Sequence, residues 1–260
     1  MDAKQLRGYL EFYRDLGFTT LYKRAPEHAR GTQESTEPQP STTGSSITQP
    51  AVLPSVLAGP NVSLPSLAPD NDTLEKIRED IGECTRCRLH AGRHKIVFGT
   101  GDPQAKLVFV GEGPGADEDT QGVPFVGRAG QLLTQMIENT ASREGIPLVR
   151  KDVYICNVVK CRPPENRTPE PDEMEICGQF LFRQLMAIRP KAICVLGSTA
   201  VRALLGRKEG VTRMRGNWYK WHDIPVMVTY HPSYLLRPYN QNAKREAWED
   251  LKKVLHFVYD

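Results

Sequence analysis

Four short apolar runs alternate with amphipathic helical patterns, and this alternation restricts the fold more than any other feature of the sequence. The runs lie at Leu107–Gly111 and at residues 153–161, 192–197 and 224–230. Short, continuous apolar runs separated by helices are typical of parallel strands buried on both faces. We therefore predict an α/β fold, a three-layer sandwich in which helices cover both faces of a central four-stranded, mostly parallel sheet.

Amphipathic patterns predict the helices that separate and follow these strands. Thr73 is a candidate N-cap for the first helix, and Ser198 is a candidate N-cap for the helix that follows the third strand. The other helical patterns cover residues 129–141, 173–188 and 242–259. Residues 73–260 are accordingly predicted to form one catalytic domain.

Residues 1–72 have a different composition. A short amphipathic helix is predicted within residues 1–24, where Leu6, Tyr9, Leu10 and Tyr13 recur at helical spacing. It is a candidate site for a protein partner, or else a dispensable extension. Residues 25–72 are rich in Pro, Ser, Thr and Gly and contain no aromatic residue. Such a stretch buries too little apolar surface to offset its ordering entropy, which predicts a disordered linker.

Charge and hydropathy restrict the compartment and the class of partner. No run of about 18 apolar residues is present, so no membrane span is expected. The N-terminus carries charges throughout, unlike a signal peptide, and a cytoplasmic location is expected. The net charge of +3 divides into −2 for residues 1–72 and +5 for residues 73–260. A basic region suits an anionic partner such as DNA, although many metabolic enzymes carry the same excess.

Polar residues follow the predicted strands at their carboxyl ends. Glu112 follows the first strand, Asn157 lies in the second, and Ser198 and His231 follow the third and fourth. Ligands of open α/β sheets bind outside the carboxyl ends of the strands. The sequence therefore predicts one crevice that carries Glu112, Asn157 and His231.

The six cysteines fall into two groups. Two of them, Cys156 and Cys194, lie inside apolar runs and are expected to be buried and inert. The other four comprise a Cys-x-x-Cys pair and two isolated residues, at positions Cys84, Cys87, Cys161 and Cys177. Zinc sites usually combine one Cys-x-x-Cys with a second such pair or with paired histidines, which this chain lacks. An iron–sulfur cluster fits the four thiols at least as well, and spacing alone leaves a cluster, zinc and no metal open.

Six motifs in series resemble the family-4, thermophile-type uracil-DNA glycosylases of the uracil-DNA glycosylase superfamily. They cover nearly all of residues 80–240 and read ECTRCRL, VFGTGDPQAKLVFVGEGPGADED, GVPFVGRAGQLL, YICNVVKCRPPENRTPEPDE, CVLGSTAV and HPSYLLR. The resemblance implies a structural [4Fe–4S] cluster on Cys84, Cys87, Cys161 and Cys177. It also implies hydrolysis of the N-glycosidic bond of deoxyuridine in DNA, which releases uracil and leaves an abasic site for base excision repair.

The same resemblance implies how the base is bound. The enzyme must extrude the nucleotide from the stack, and Phe125 is expected to stack on the flipped base. The amide of Asn157 can match N3–H and O4 of uracil and mismatches cytosine. His231 is expected to donate a hydrogen bond to O2 of the departing base, as a neutral ring or as a cation.

Acidic and glycine residues of the first loop are expected to complete the reaction centre. Glu112 is the candidate for positioning the attacking water, with Glu118 and Asp119 as rivals. Glu118 is also a candidate for crowding the 5-position and excluding the methyl group of thymine. Gly113 and Gly115 are expected to allow close backbone approach to a phosphate or to the base.

Four residues are candidates for DNA contact. Leu235 is expected to wedge into the gap left by the flipped nucleotide, while Arg162 and Arg237 suit phosphates and Ser198 begins a helix. Binding is expected to be backbone-led and salt-dependent, with a monomer as the expected state and single- or double-stranded substrate left open.

Three alternatives compete with this interpretation. The first is a glycosylase of the same fold for another deaminated base. The second is the superfamily branch that traps its product covalently, which is disfavoured because its basic insertion is absent between Cys161 and Cys177. The third is a non-catalytic, cluster-containing DNA-binding module, against which the presence of Glu112, Asn157 and His231 argues.

Overall fold

The computed structural model describes residues 72–260. The helix predicted within residues 1–24, and all but the last residue of the linker predicted over 25–72, lie outside the described residues. Within the described part, helices alternate with strands that form one six-stranded sheet of order β1-β3-β2-β4-β6-β5.

The strands and helices have the following bounds. The strands are β1 Thr100–Gly101, β2 Leu107–Gly111, β3 Tyr154–Asn157, β4 Ala192–Leu196, β5 Trp218–Trp221 and β6 Ile224–Thr229. The helices are α1 Leu74–Ile81, α2 Ala116–Gln121, α3 Arg128–Arg143, α4 Pro171–Ile188, α5 Ser198–Leu205, α6 Val211–Met214, α7 Pro232–Leu235 and α8 Gln241–Tyr259. Three short 3-10 turns lie at Arg88–Gly92, Arg150–Asp152 and Pro164–Asn166.

The predicted parallel sheet is confirmed and is flanked by two further strands. The strands β3, β2, β4 and β6 pair in parallel, and they are the four that the apolar runs predict. The short strands β1 and β5 add to the two edges in antiparallel orientation, so the sheet has six strands rather than four. The second predicted strand, 153–161, is longer than β3 because the chain turns away from the sheet after Asn157.

Alternation along the strands sends side chains into a hydrophobic core on each face of the sheet. Leu107 and Phe109 of β2 belong to the core that contains residues of α3 and α8. Val108 and Val110 belong to the opposite core, which contains residues of α1, α4 and α5. Every residue of β2 is buried, as expected for a central strand covered on both faces. This arrangement is the predicted three-layer sandwich.

One of the two N-cap predictions is confirmed and the other is wrong. The Thr73 side chain accepts a hydrogen bond from the backbone N–H of Lys76 at 3.3 Å and caps α1. The N-cap of α5 is Gly197, and Ser198 is the first residue inside the helix. Gly197 has φ +92°, and a Cβ there would lie 3.0 Å from Cβ of His231. Glycine at this position therefore allows the chain after β4 to pass close to the chain after β6.

The strand order also determines where a ligand site can form. The chain runs from β2 outward to β3 and then crosses to β4 on the other side of β2, so the connections diverge at the carboxyl end of β2. Such a switch point opens a crevice between the diverging loops. No helix among residues 72–260 combines the length and the apolar character needed to span a membrane.

Candidate active site and cysteine site

A cleft of about 370 Å³ opens at the carboxyl ends of the parallel strands. It is lined by segments that follow β2, β3 and β6 and by the start of α3. The crevice predicted from Glu112, Asn157 and His231 is present, since all three line this cleft. The full lining is Glu112, Gly113, Pro114, Gly115, Ala116, Asp117, Glu118, Phe125, Gly127, Arg128, Ala129, Asn157, Pro163, Asn166, Arg167, His231, Ser233 and Leu236.

Phe125, Asn157 and His231 surround a narrow slot at the end of β2. The rings of Phe125 and His231 lie 5.7 Å apart between centroids and are tilted by 37°. The side chain of Asn157 is buried, and its Oδ1 has no hydrogen-bond partner within the described residues. A Cβ on Gly111 would lie 2.4 Å from Cζ of Phe125 and 2.5 Å from Oδ1 of Asn157. The slot therefore depends on the absence of a side chain at position 111.

The backbone around Phe125 is held in an uncommon conformation. Phe125 has φ +54°, a left-handed value that is strained for an aromatic residue. Helix α3 packs closely against it, because a Cβ on Gly130 would lie 1.9 Å from the Phe125 carbonyl carbon. The Arg150 guanidinium donates a 2.7 Å hydrogen bond to the carbonyl of Pro124. These contacts fix the direction of the Phe125 ring before any ligand binds.

Glu118 joins the two loops that form one wall of the cleft. Its Oε1 accepts hydrogen bonds of 2.9 Å from the backbone N–H groups of Val126 and Gly127. Its Oε2 accepts a 3.1 Å hydrogen bond from the N–H of Gly115. The carboxylate lines the cleft, but both oxygens are occupied by backbone donors. Glu118 therefore fixes the loop after Phe125 and the loop after β2 relative to each other.

The hydrogen bonds of His231 define which ring nitrogen carries the proton. Its Nδ1 accepts from the backbone N–H of Ser233 at 3.2 Å and lies 2.7 Å from the Ser233 hydroxyl. Since a backbone N–H can only donate, Nδ1 carries the lone pair, and the proton of a neutral ring is on Nε2. Burial lowers the pKa of His231 to about 4, against the opposing effect of the Glu118 charge. His231 is therefore a neutral N–H donor at neutral pH.

The acids after β2 have different surroundings. The Thr199 hydroxyl, which is buried at the start of α5, donates a short hydrogen bond to Oε2 of Glu112. Glu112 therefore has one anchored oxygen and one that remains available at the cleft. Gly113 also lines the cleft, and a Cβ there would lie 2.8 Å from Cγ2 of Val159.

Asp119 does not line the cleft. It is fully buried, and its carboxylate accepts hydrogen bonds from the His94 backbone at 2.9 Å and from His94 Nδ1 at 2.6 Å. Burial alone raises the pKa of Asp119, but the hydrogen bonds from His94 and Lys95 outweigh it and hold the pKa below its usual value. Its role is to attach α2 to the segment before β1, which removes it as a rival for positioning water.

The four cysteines Cys84, Cys87, Cys161 and Cys177 line one small cavity on the other side of β3. They come from the segment after α1, the loop after β3 and the middle of α4. The backbone N–H of Lys160 donates to Sγ of Cys177 at 3.2 Å, and Arg93 lies 3.5 Å from Sγ of Cys161. The structure thus brings together the four cysteines that the sequence analysis grouped as candidate ligands. Cys156 and Cys194 are fully buried in strands, as predicted.

The four cysteines provide a donor set that suits a metal centre. No three His, Cys, Asp or Glu side chains within residues 72–260 converge closely enough to hold one metal ion. The thiols instead surround a space, and N–H donors face two of the sulfurs. Burial raises the pKa of the Cys177 thiol to about 12 and raises those of Cys87 and Cys161. Such thiols stay protonated and inert unless a metal centre stabilises the thiolates.

The four residues predicted to contact DNA differ in how far they are exposed. Ser198 is exposed at the start of α5, and Arg237 is exposed with its guanidinium 5.8 Å from the ring centroid of Tyr234. Arg162 is half-buried and donates a 2.7 Å hydrogen bond to Asn166. Leu235, predicted as the wedge, is only 1% exposed and packs in the core with α3 and α8, so it does not project from the surface.

Several residues of the cleft were not predicted from the sequence. Leu236, 37% exposed, lies beside the buried Leu235 and lines the cleft. Arg128 is exposed at the first turn of α3 on the cleft wall. Thr199 donates a hydrogen bond to Glu112, and Ser233 donates one to His231. Ser233 was visible within the motif HPSYLLR, whereas Thr199 had no signal beyond its place next to Ser198.

Several known proteins have sequences similar to that of this chain. The sequence profile of the uracil DNA glycosylase superfamily matches residues 98–252. The type-4 uracil-DNA glycosylase of Thermotoga maritima is 46% identical over 189 residues, which cover 72% of this chain and 95% of the relative. Those of Sulfurisphaera tokodaii and Archaeoglobus fulgidus are 44% and 42% identical over 191 residues, covering 70% of this chain and 84% and 92% of the relatives. The chain therefore belongs to the uracil-DNA glycosylase superfamily and, within it, to the type-4 uracil-DNA glycosylases.

Proposed function

We propose that this protein hydrolyses the N-glycosidic bond of deoxyuridine in DNA, releasing uracil and leaving an abasic site for base excision repair. The observation that carries the proposal is the slot itself. A neutral histidine donor, an unpaired buried amide and an aromatic ring face the same small space at the end of β2. These are the groups that a flipped uracil requires.

Base recognition rests on Asn157 and Phe125. The unpaired Oδ1 of Asn157 is an acceptor for N3–H of uracil, and the amide nitrogen is a donor for O4. Cytosine has an acceptor at N3 and a donor at N4, so both hydrogen bonds mismatch. Each unpaired polar group left in the buried slot costs about 1–3 kcal/mol. The ring of Phe125 supplies the stacking surface. The backbone strain at Phe125 is present in the folded protein without a ligand, so uracil binding does not have to introduce it.

Departure of the base depends on His231. Negative charge develops on O2 of uracil as the glycosidic bond breaks, and the Nε2–H of His231 is the donor for that oxygen. A neutral ring suffices for this role, and the lowered pKa of His231 favours the neutral form over the cation. Loss of one such donor typically lowers the rate by about 10²–10³-fold.

The attacking water is assigned to Glu112. Thr199 holds one carboxylate oxygen, and the other is free to accept a hydrogen bond from water at the cleft. Glu118 suits this role less well because its two oxygens already accept three backbone N–H bonds. Glu118 remains a candidate for restricting the 5-position only through the loop that it fixes, and Gly113 remains a candidate for close backbone approach to the base.

DNA binding is assigned to exposed cations and to one apolar side chain at the cleft rim. Arg128 is exposed on the cleft wall and Arg237 is exposed just after α7, while Arg162 lies in the loop after β3 and Ser198 begins α5. Leu236 replaces Leu235 as the candidate wedge because it is exposed and lines the cleft. We propose that the protein acts as a monomer.

A [4Fe–4S] cluster on Cys84, Cys87, Cys161 and Cys177 completes the proposal. When bound, the cluster supplies a covalent link between the segment after α1, the loop after β3 and helix α4, and hydrolysis needs no electrons from it. Four unpaired thiols around one cavity, two buried and two half-buried, suit a reducing compartment, which supports a cytoplasmic location. Protein partners of residues 1–24 remain a prediction.

The test is excision from a labelled oligonucleotide that contains one deoxyuridine, followed by cleavage of abasic sites in hot alkali. Matched strands carry thymine, cytosine or hypoxanthine at the same position, and the His231→Ala variant is the control for the active site. Cleavage at uracil alone, lost in His231→Ala, is the expected result. Cleavage at hypoxanthine would point to a glycosylase for another deaminated base. If protein that retains its iron cleaves none of the strands, a non-catalytic DNA-binding module becomes the remaining interpretation.

A further inference from the structure

Lys160 is a buried lysine that lies between the cysteine cavity and the uracil slot. Only 1% of it is exposed, although it carries an amino group that normally seeks solvent. It lines the cysteine cavity and directly precedes Cys161 in the chain. A lysine is rarely kept at such a position unless its donors have fixed partners.

The two ends of Lys160 contact the two sites. Its backbone N–H donates to Sγ of Cys177 at 3.2 Å. Its Nζ donates to the backbone carbonyl of Asn157 at 2.8 Å and to Oε1 of Gln184 at 2.6 Å. One residue therefore joins a cysteine of the cavity to the residue that faces uracil.

Helix α4 supports both ends of this link. Cys177 and Gln184 are seven residues apart, which places them on the same face of the helix two turns from each other. Gln184 is itself fixed, since its Nε2 donates to the carbonyl of Phe98 at 3.0 Å and lies 3.2 Å from the hydroxyl of Tyr154. The Nζ group is thus held in place rather than free to follow Asn157.

Asn157 lies where this support matters. It is the last residue of β3, and the chain leaves the sheet directly after it on the way to Cys161. The direction of its side chain depends on the orientation of its own peptide group, and Lys160 fixes the carbonyl of that group. Displacements of about 1 Å at such a position are large relative to the tolerance of a hydrogen-bonding site.

We propose that Lys160 is a positioning residue that couples the cysteine site to the uracil-reading amide of Asn157. The proposal deepens the proposed function and rests on it. Lys160 touches neither the base nor the reacting atoms. It transmits the position of helix α4, which the cluster holds through Cys177, to the side chain that distinguishes uracil from cytosine.

The experiment compares Lys160→Met with the wild type in the full-length, cluster-containing protein. Methionine keeps the backbone N–H to Cys177 and the approximate volume, but removes the donor to Asn157. The readouts are iron per chain, the equilibrium affinity for free uracil, and kcat/KM on uracil and cytosine strands. We expect unchanged iron content, a roughly tenfold loss of uracil affinity and a smaller preference for uracil over cytosine. Thr140→Val, which removes a buried hydroxyl without a hydrogen-bond partner, should change none of them.

A double-mutant cycle identifies the route of the effect. If Lys160 acts through Asn157, the Lys160→Met change should cost little further uracil affinity in an Asn157→Ala background. Equal losses in both backgrounds, or full uracil affinity in Lys160→Met, would overturn the proposal. If Lys160→Met does not fold, Gln184→Met removes the anchor of Nζ together with the hydrogen bonds of Gln184 to Phe98 and Tyr154, and it should weaken uracil binding while iron is retained. Full uracil affinity in this variant would overturn the proposal too. A wild type that does not excise uracil would instead overturn the proposed function.

Discussion

Gly111 is the position at which the smallest change should close the uracil slot. A methyl group added there would lie 2.4 Å from Cζ of Phe125 and 2.5 Å from Oδ1 of Asn157. Ordinary contact begins near 3.4 Å, so both groups must retreat by about 1 Å. Gly111 has no left-handed φ, and alanine itself is compatible with the strand. The effect of Gly111→Ala is therefore steric and local to the slot.

The expected loss follows from that displacement. A misplacement of about 1 Å at a reacting centre costs about 10²-fold in rate, or about 2.7 kcal/mol. We expect kcat/KM for uracil excision to fall by this amount, measured as abasic-site formation on the deoxyuridine oligonucleotide. Overpacking should lower the free energy of unfolding by about 1–3 kcal/mol, which denaturant titration will show. Gly210→Ala is the matched control, because nothing lies within 4 Å of a Cβ there. A folded Gly111→Ala protein with kcat/KM within about twofold of wild type would refute the assignment of the slot.

The remaining predictions concern His231, Thr199, Leu235 and Leu236. Because the pKa of His231 is about 4, kcat/KM should show no inflection from this group between about pH 5 and 8, and an inflection near 6.5 that disappears in His231→Gln would contradict the neutral donor. Between pH 6.5 and 4, His231 binds a proton in the unfolded state but not in the folded state. As the pH is lowered through this range, the free energy of unfolding should therefore fall more steeply for the wild type than for His231→Gln. Thr199→Val should lower kcat by about 10–150-fold with little change in KM, because Glu112 loses its hydrogen-bond donor. Thr199→Ser keeps the hydroxyl and should retain most of the wild-type kcat. A Thr199→Val enzyme with normal kcat would show that Glu112 does not need the hydrogen bond from Thr199. Leu235→Ala should destabilise the fold by about 2–5 kcal/mol in denaturant titrations. Leu236→Ala should leave stability within about 0.5 kcal/mol and lower excision from duplex more than from single-stranded DNA, and equal effects on both substrates would remove Leu236 as the wedge.

Much of the fold could be predicted because its strongest signals are periodic and local. The four parallel strands and the longer helices follow from apolar patterns that only a buried sheet or an amphipathic helix satisfies. The edge strands could not be predicted in the same way. Strand β1 has only two residues, and β5 is largely exposed, so neither carries an apolar run.

The candidate site was predictable in its members but not in their contacts. Chain position at strand ends identified Glu112, Asn157 and His231, because topology alone places those residues together. The anchoring groups come from segments far apart in sequence, as the 87 residues between Glu112 and Thr199 illustrate. Leu235 and Leu236 are adjacent and chemically identical, and only the orientation of the short helix α7 decides which one is buried.

The last helix also holds the two residues that precede the histidine of the slot. Glu246 accepts a 2.8 Å hydrogen bond from the hydroxyl of Tyr230, and Asp250 accepts a 2.7 Å hydrogen bond from Thr229, just before His231. During synthesis both acids leave the ribosome after the residues that they hold. A nascent chain can therefore assemble the walls of the slot while its histidine still lacks these supports. The histidine wall of the slot is therefore complete only when helix α8 has packed against the end of β6.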